Sequence, residues 1–192
     1  KELFDGSVVI CQPIENGLCD LINTQNGIYT LVLRGRENGE TVEKTRVIES
    51  VSRCIDPYRN FESLLEIARS EDLKIIISNT TEAGIFFCEK DKFDDTPPSS
   101  YPAKLTRFLY ERFSHFNGSS LSTVYILPVE LIDNNGTELL KCVKQYANMW
   151  NLPENFSLWL DKCSFSNTLV DRIVTGYPKK DIEEISKKLD YT

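Results

Sequence analysis

The stretch Leu73-Lys74-Ile75-Ile76-Ile77-Ser78-Asn79-Thr80-Thr81-Glu82-Ala83-Gly84 decides the fold class. Its three consecutive isoleucines are β-branched and stiff at χ1, and a short apolar run of this kind reads as a buried strand. The run ends in short polar side chains and a glycine, which is the chemistry of a turn. Just upstream, Asn60 offers an N-cap, Glu62 falls in the first turn, and Leu64, Leu65 and Ala68 recur at helical spacing. A helix therefore feeds a buried strand.

The same alternation continues downstream. Asp91 to Ser100, with paired Asp and paired Pro, reads as a loop. Pro102 opens a helix carrying Leu105, Phe108, Leu109, Phe113 and Phe116 on one face, and Asn117-Gly118 stops it. Ser122 to Val129 repeats the buried-strand pattern, and Leu139, Val143, Ala147 and Trp150 then fall in helical register. The tail offers a short helix around Phe156 to Leu160, the segment Val170-Asp171-Arg172-Ile173-Val174, and an amphipathic helix from Lys180 to Leu189.

Upstream, Ser7-Val8-Val9-Ile10-Cys11 reads as a strand that breaks at Gln12-Pro13 and passes into a helix with Leu18, Leu21 and Ile22. Ile28 to Arg34 and Thr41 to Val51 form a hairpin about Gly35-Arg36-Glu37-Asn38-Gly39, where Asn-Gly supplies the positive φ of the reversal. The sum is an α/β domain: a mostly parallel sheet, helices on both faces and a β-hairpin insertion. Ligands bind such sheets at the carboxyl ends of the strands. Three polar segments lie there: Gln12 to Gly17, Asn79 to Gly84, and Glu130 to Gly136.

A chain of 192 residues, 41% hydrophobic and 27% charged, can bury one sizeable core. The net charge of −7 argues against nucleic-acid or anionic-membrane partners, which need a dense Lys/Arg surface. No apolar run approaches the roughly 20 residues of a membrane span. Six cysteines, Cys11, Cys19, Cys54, Cys88, Cys142 and Cys163, are scattered without a C-x-x-C pair and without metal-ligand spacing. That usage points to free thiols and a cytoplasmic location, and no metal is expected. Sequons starting at Asn79, Asn117, Asn135 and Asn155 read as chance triplets in a chain without a signal peptide. The chain starts at Lys1, close to a strand, so an upstream segment is expected to be missing.

Taken in order, Gln25-Asn26-Gly27-Ile28-Tyr29-Thr30-Leu31, Arg46-Val47-Ile48, Ser78 to Gly84, Asn135-Gly136 and Leu169-Val170-Asp171-Arg172-Ile173 resemble the mannitol dehydrogenase family of long-chain polyol dehydrogenases. The resemblance runs over nearly the whole chain. It implies a partial Rossmann-type NAD-binding domain over residues 1–192, lacking its first strand and phosphate-binding turn. It also implies a helical catalytic domain, absent from this chain, as partner, and a sugar acid or polyol as substrate.

The resemblance implies roles residue by residue. Glu15, just past the second Rossmann strand, would accept hydrogen bonds from the adenosine ribose hydroxyls and repel a 2′-phosphate, which selects NAD over NADP. Gln12 is the competing ribose reader, and a solvated loop carboxylate is the alternative for Glu15. Asn79, Thr80 and Thr81 would line the cofactor cleft, with ordinary turn chemistry as the alternative. Glu130 and Asn135 are substrate-side candidates. Asp171 would face the substrate cleft with Arg172 anchoring its segment; a structural ion pair is the alternative. Mannitol-oxidising relatives carry an oxyanion-stabilising Asn where this chain has Leu131, so the sugar-acid branch is favoured. Glu82 reads equally as a helix-start carboxylate or a cleft group. The one histidine, His115, suits the negative end of its helix rather than catalysis. Two other classes stay open: a non-catalytic nucleotide-binding module ending near residue 192, and a Rossmann-like domain of unrelated dehydrogenase type.

Overall fold

The computed structural model describes residues 5–12, 14–81, 83–169 and 178–189. Strand β1 (Val8–Cys11) leads through a loop into α1 (Cys19–Thr24) and the hairpin β2 (Tyr29–Glu37) and β3 (Glu40–Ile48). Then follow β4 (Val51–Ile55), α2 (Phe61–Ala68), β5 (Ile75–Ser78), α3 (Tyr101–His115), β6 (Tyr125–Pro128), α4 (Asn135–Met149), α5 (Glu154–Leu160), β7 (Ser164–Phe165) and α6 (Ile182–Leu189). β1 pairs in parallel with β4, β5, β6 and β7 form a second parallel sheet in that order, and the antiparallel hairpin stands apart.

Local chemistry accounts for most of the boundaries. The reversal between β2 and β3 is the two residues Asn38 and Gly39 alone, at φ +53° and +85°, so the strands pair right up to Glu37 and Glu40. Asn60 caps α2 by accepting the Ser63 N–H. Ser100 caps α3 by accepting the Ala103 N–H, with Pro102 in the first turn. The core joins one face of each helix from α2 to α5: Leu64 and Leu65, Leu105 and Leu109, Leu139 and Val143, Phe156 and Trp159, with Val124 and Ile126 beneath them.

Two expectations need correcting. The strand expected over Thr41 to Val51 ends at Ile48, and Val51 opens a separate strand that pairs with β1 in register Val8 to Val51. A Cβ at Gly27 would lie 2.1 Å from the Val51 carbonyl oxygen, so only glycine lets the start of the hairpin pass this strand. The second correction concerns β5. Ile77 is 67% exposed and Ile75, on the same face of the strand, 39%, so among the described residues this face of β5 is open. β7, two residues long, is an element that periodicity did not foresee. The segment Val170 to Val174, with Asp171 and Arg172, and also Glu82, lie outside the described residues.

Two buried polar clusters hold the connections. Asp91 accepts from the Ser99 N–H and hydroxyl at 2.7 and 2.6 Å, from the Ser100 N–H, and from the Tyr146 hydroxyl at 2.9 Å, which ties the loop before α3 to α4. Arg112 donates to the carbonyls of Ala68, Ser70, Leu73 and Ser122, welding the end of α2 and the start of β5 to α3.

Candidate functional site

At the carboxyl ends of β1 and β4 the chain forms an open cavity of about 140 Å³, lined by Gln12, Glu15, Asn16, Gly17, Cys19, Asp20, Asp56 and Arg59. Gln12 builds its wall. The buried side chain accepts the Cys19 N–H at 3.2 Å through Oε1 and donates through Nε2 to the Glu15 carbonyl at 3.0 Å. One amide thus sets both the loop and the start of α1. A Cβ at Gly17 would lie 2.4 Å from the Gln12 side chain, so a larger residue there would have to push that amide out of its place. The far end of α1 is stitched to β4, where Asn23 donates to the Cys54 carbonyl and accepts its N–H at 2.9 and 2.8 Å.

Glu15 itself is exposed at the rim. Around it stand Asp20 and Asp56, with Arg59 between them: its Nη1 and Nη2 reach the two oxygens of Asp20 at 2.7 and 2.8 Å, and its Nε faces Asp56 at 3.4 Å. The Arg59 hydrogen bonds hold the Asp20 carboxyl below its ordinary value of 3.8. Three carboxylates against one guanidinium make the cavity a place for hydroxyl donors rather than for a phosphate.

A second cavity of about 170 Å³ opens at the ends of β6 and β7, lined by Glu130, Leu131, Ile132, Asp133, Thr168 and Leu169. Its floor is a polar belt. Glu130, 2% exposed, accepts from the Ser78 hydroxyl at 3.2 Å and from both the N–H and the hydroxyl of Thr80 at 3.1 and 3.0 Å. Asn135 is fully buried; it donates to the carbonyls of Pro128, Glu130 and Thr168 and accepts the N–H groups of Gly136 and Thr168. A Cβ at Gly136 would sit 2.6 Å from the Ser166 carbonyl oxygen, so the start of α4 can touch this segment only as glycine. The belt locks together the ends of β5, β6 and β7.

The structure therefore divides the residues singled out from sequence. Glu15, Asn79 and Thr81 are exposed at strand ends, and Leu131 lines the second cavity. Gln12, Glu130 and Asn135 face inward, with their hydrogen-bonding atoms engaged by the protein. Thr80 stands between, its side chain bonded to Glu130 and packed where Gly84 leaves no room for a Cβ. His115 is exposed in the last turn of α3, edge-on to Phe116. Sequence reasoning missed Asp20, Asp56 and Arg59. Their signal, one basic residue four positions after a strand and one acid two positions after an apolar Leu, is too common to stand out.

Among the described residues no group of His, Cys, Asp and Glu could hold a metal ion, and no helix is long and apolar enough to cross a membrane. The six cysteines are free, and burial pushes the Cys163 thiol up to about 11.

Residues 5–190 match the family model of the mannitol dehydrogenase Rossmann domain. The chain is 48% identical over 190 residues to an altronate oxidoreductase of Escherichia coli O7:K1 (strain IAI39 / ExPEC), covering 98% of this chain and 39% of that protein. The same identity and coverage hold for an altronate oxidoreductase of Shigella sonnei (strain Ss046). The chain thus spans about two fifths of the length of the curated relatives it matches. In fold it resembles the Pseudomonas fluorescens mannitol 2-dehydrogenase solved as a ternary complex with NAD and D-mannitol, at TM-score 0.69 and 17% identity over 88% of this chain and 36% of that one. It also resembles a D-sorbitol dehydrogenase in substrate-free form, at TM-score 0.76 and 15% identity over 96% of this chain and 40% of that one.

Proposed function

Because the chain belongs to the mannitol dehydrogenase family, we propose that it is the nucleotide-binding part of an NAD-dependent tagaturonate reductase, also called altronate oxidoreductase. The full protein would move a hydride between NAD(H) and a sugar acid. The observation that carries the cofactor assignment is the carboxylate-lined cavity with Glu15 at the ends of two parallel strands. Its carboxylate acceptors suit a ribose with both hydroxyls free to donate. NAD supplies the hydride acceptor or donor; the protein supplies binding, orientation and electrostatics.

In this reading Glu15 accepts from the ribose hydroxyls, and Gln12 holds the loop that presents it. Asn79, Thr80 and Thr81 line the cleft at the end of β5, and Glu130 and Asn135 position that wall from beneath. The sugar acid is proposed to meet the protein near the second cavity, where Leu131 offers an apolar side chain in place of an oxyanion-holding amide. That residue favours the sugar-acid branch over a mannitol dehydrogenase. Asp171 remains the substrate-side carboxylate by resemblance, and the acid–base group is assigned to a helical domain beyond these residues. Among the described residues β1 and β5 each pair with a strand on one side only, which supports a further proposal, that one more parallel strand with its phosphate-binding turn lies between them.

The test is steady-state kinetics of the full-length enzyme with tagaturonate, fructuronate, fructose and mannitol under each nicotinamide cofactor. Tagaturonate with NADH is expected to give the highest kcat/KM. Glu15→Ala removes a charged acceptor from two hydroxyls and should raise the KM for NADH about tenfold or more. An unchanged KM and an unchanged NADH preference would exclude Glu15 as the ribose reader.

A further inference from the structure

We propose that Asp20 is a second determinant of nucleotide choice, acting by occupying the edge of Arg59 that would otherwise receive an adenosine 2′-phosphate. The inference rests on the assignment of the Glu15 cavity to the adenosine ribose. Among the described residues lining that cavity, Arg59 is the one Lys or Arg. Its guanidinium is a planar fork whose two-nitrogen edge matches phosphate as well as carboxylate geometry. Here that edge is filled: Nη1 meets Asp20 Oδ1 at 2.7 Å and Nη2 meets Oδ2 at 2.8 Å.

The remaining nitrogen, Nε, faces Asp56 at 3.4 Å. Asp56 is nearly buried and fixed in turn, since its Oδ1 accepts the Tyr58 N–H at 2.9 Å. Removing Asp20 would therefore free the bidentate edge while Asp56 keeps the guanidinium beside the cavity. The Asp20 and Arg59 side chains are 71% and 68% exposed, so their pairing contributes little to folding stability and its loss should leave the fold intact. Two separate barriers follow. Glu15 repels a 2′-phosphate directly, and Asp20 withholds the cation that could bind it, so removal of Glu15 alone should not make the site accept the phosphorylated cofactor.

The experiment is titration calorimetry on the full-length enzyme with two probes, adenosine 2′,5′-bisphosphate and adenosine 5′-monophosphate, which differ only in the 2′-phosphate. The proteins are the parent, Asp20→Ala, Arg59→Ala, the Asp20→Ala/Arg59→Ala double variant, and Glu15→Gln. Asp20→Ala is expected to tighten the bisphosphate about three- to tenfold and to leave the monophosphate within about twofold. The gain should vanish in the double variant. No tightening in Asp20→Ala overturns the proposal, and so does an equal gain without Arg59, which would mean that general charge alone is at work. If Glu15→Gln and Asp20→Ala change the binding of neither probe, the ribose assignment itself fails, a result distinct from failure of the ion pair.

Discussion

Glu130→Ala should destabilise the protein by about 3 kcal/mol, whereas Glu130→Gln should cost about 1 kcal/mol. The carboxylate is 2% exposed, makes no ion pair among the described residues, and is held by three neutral donors. Alanine strands the part-buried Thr80 N–H, where a fully buried donor without a partner would cost roughly 1–3 kcal/mol, and leaves the Ser78 and Thr80 hydroxyls to find new acceptors. It also leaves a small void, set against the relief of no longer burying a charge. Glutamine has the same shape. Its amide oxygen can take both Thr80 donors while its NH₂ donates to the Ser78 hydroxyl oxygen, so what is lost is charge assistance. Urea unfolding of the full-length protein measures the stabilities, and the KM for NADH reports on the strand-end wall. The alanine variant should raise that KM severalfold and glutamine should restore it. Alanine and glutamine variants equal in stability and KM would show that Glu130 does not clamp the ends of β5 and β6.

Two other outcomes follow from the buried polar groups. Arg112 is 1% exposed; Arg112→Met keeps its apolar stem but strands four backbone carbonyl acceptors, and it should lower stability by about 3 kcal/mol or more in the same assay. Asp91 supplies an acid-sensitive component. Burial works to raise its pKa, but hydrogen bonds from Ser99, Ser100 and Tyr146 outweigh that and hold it below the ordinary 3.8. A depressed carboxyl stabilises the fold above the unfolded value, and the contribution is lost as pH falls through the folded one. Urea midpoints between about pH 2 and 5 should therefore decline less steeply in Asp91→Asn than in the parent, and parallel slopes would count against the network.

What could be read from the chain was what is set within a few residues. Asn38-Gly39 marks its turn because few other pairs accept two positive φ values, Asn60 marks a cap because its side chain reaches an N–H three residues on, and helical faces repeat at their own period. Those local signals, with the ordered motifs from Gln25 to Ile173, were enough for the alternation of strands and helices and for the family. The apolar run at Ile75 to Ile77 shows the limit. Its residue types specify extended backbone, but whether Ile77 is covered depends on which elements lie against it.

The same limit governs the site. Val51 looked like the last residue of a hairpin, and the four residues after it were assigned to no element, because nothing nearby announces that Val51–Ile55 pairs with Val8–Cys11, a contact closed across about forty residues. Gln12, Glu130 and Asn135 carry the side chains of binding groups and lie at strand ends. Tertiary packing turned them inward, where Cys19, Thr80 and Thr168 take their hydrogen bonds. Asp20 and Arg59, separated by thirty-nine positions, became a pair only when α1 folded back over the end of β4. Side-chain chemistry is a property of the residue, whereas its partner, its burial and hence its availability to a ligand are set by contacts distant in sequence.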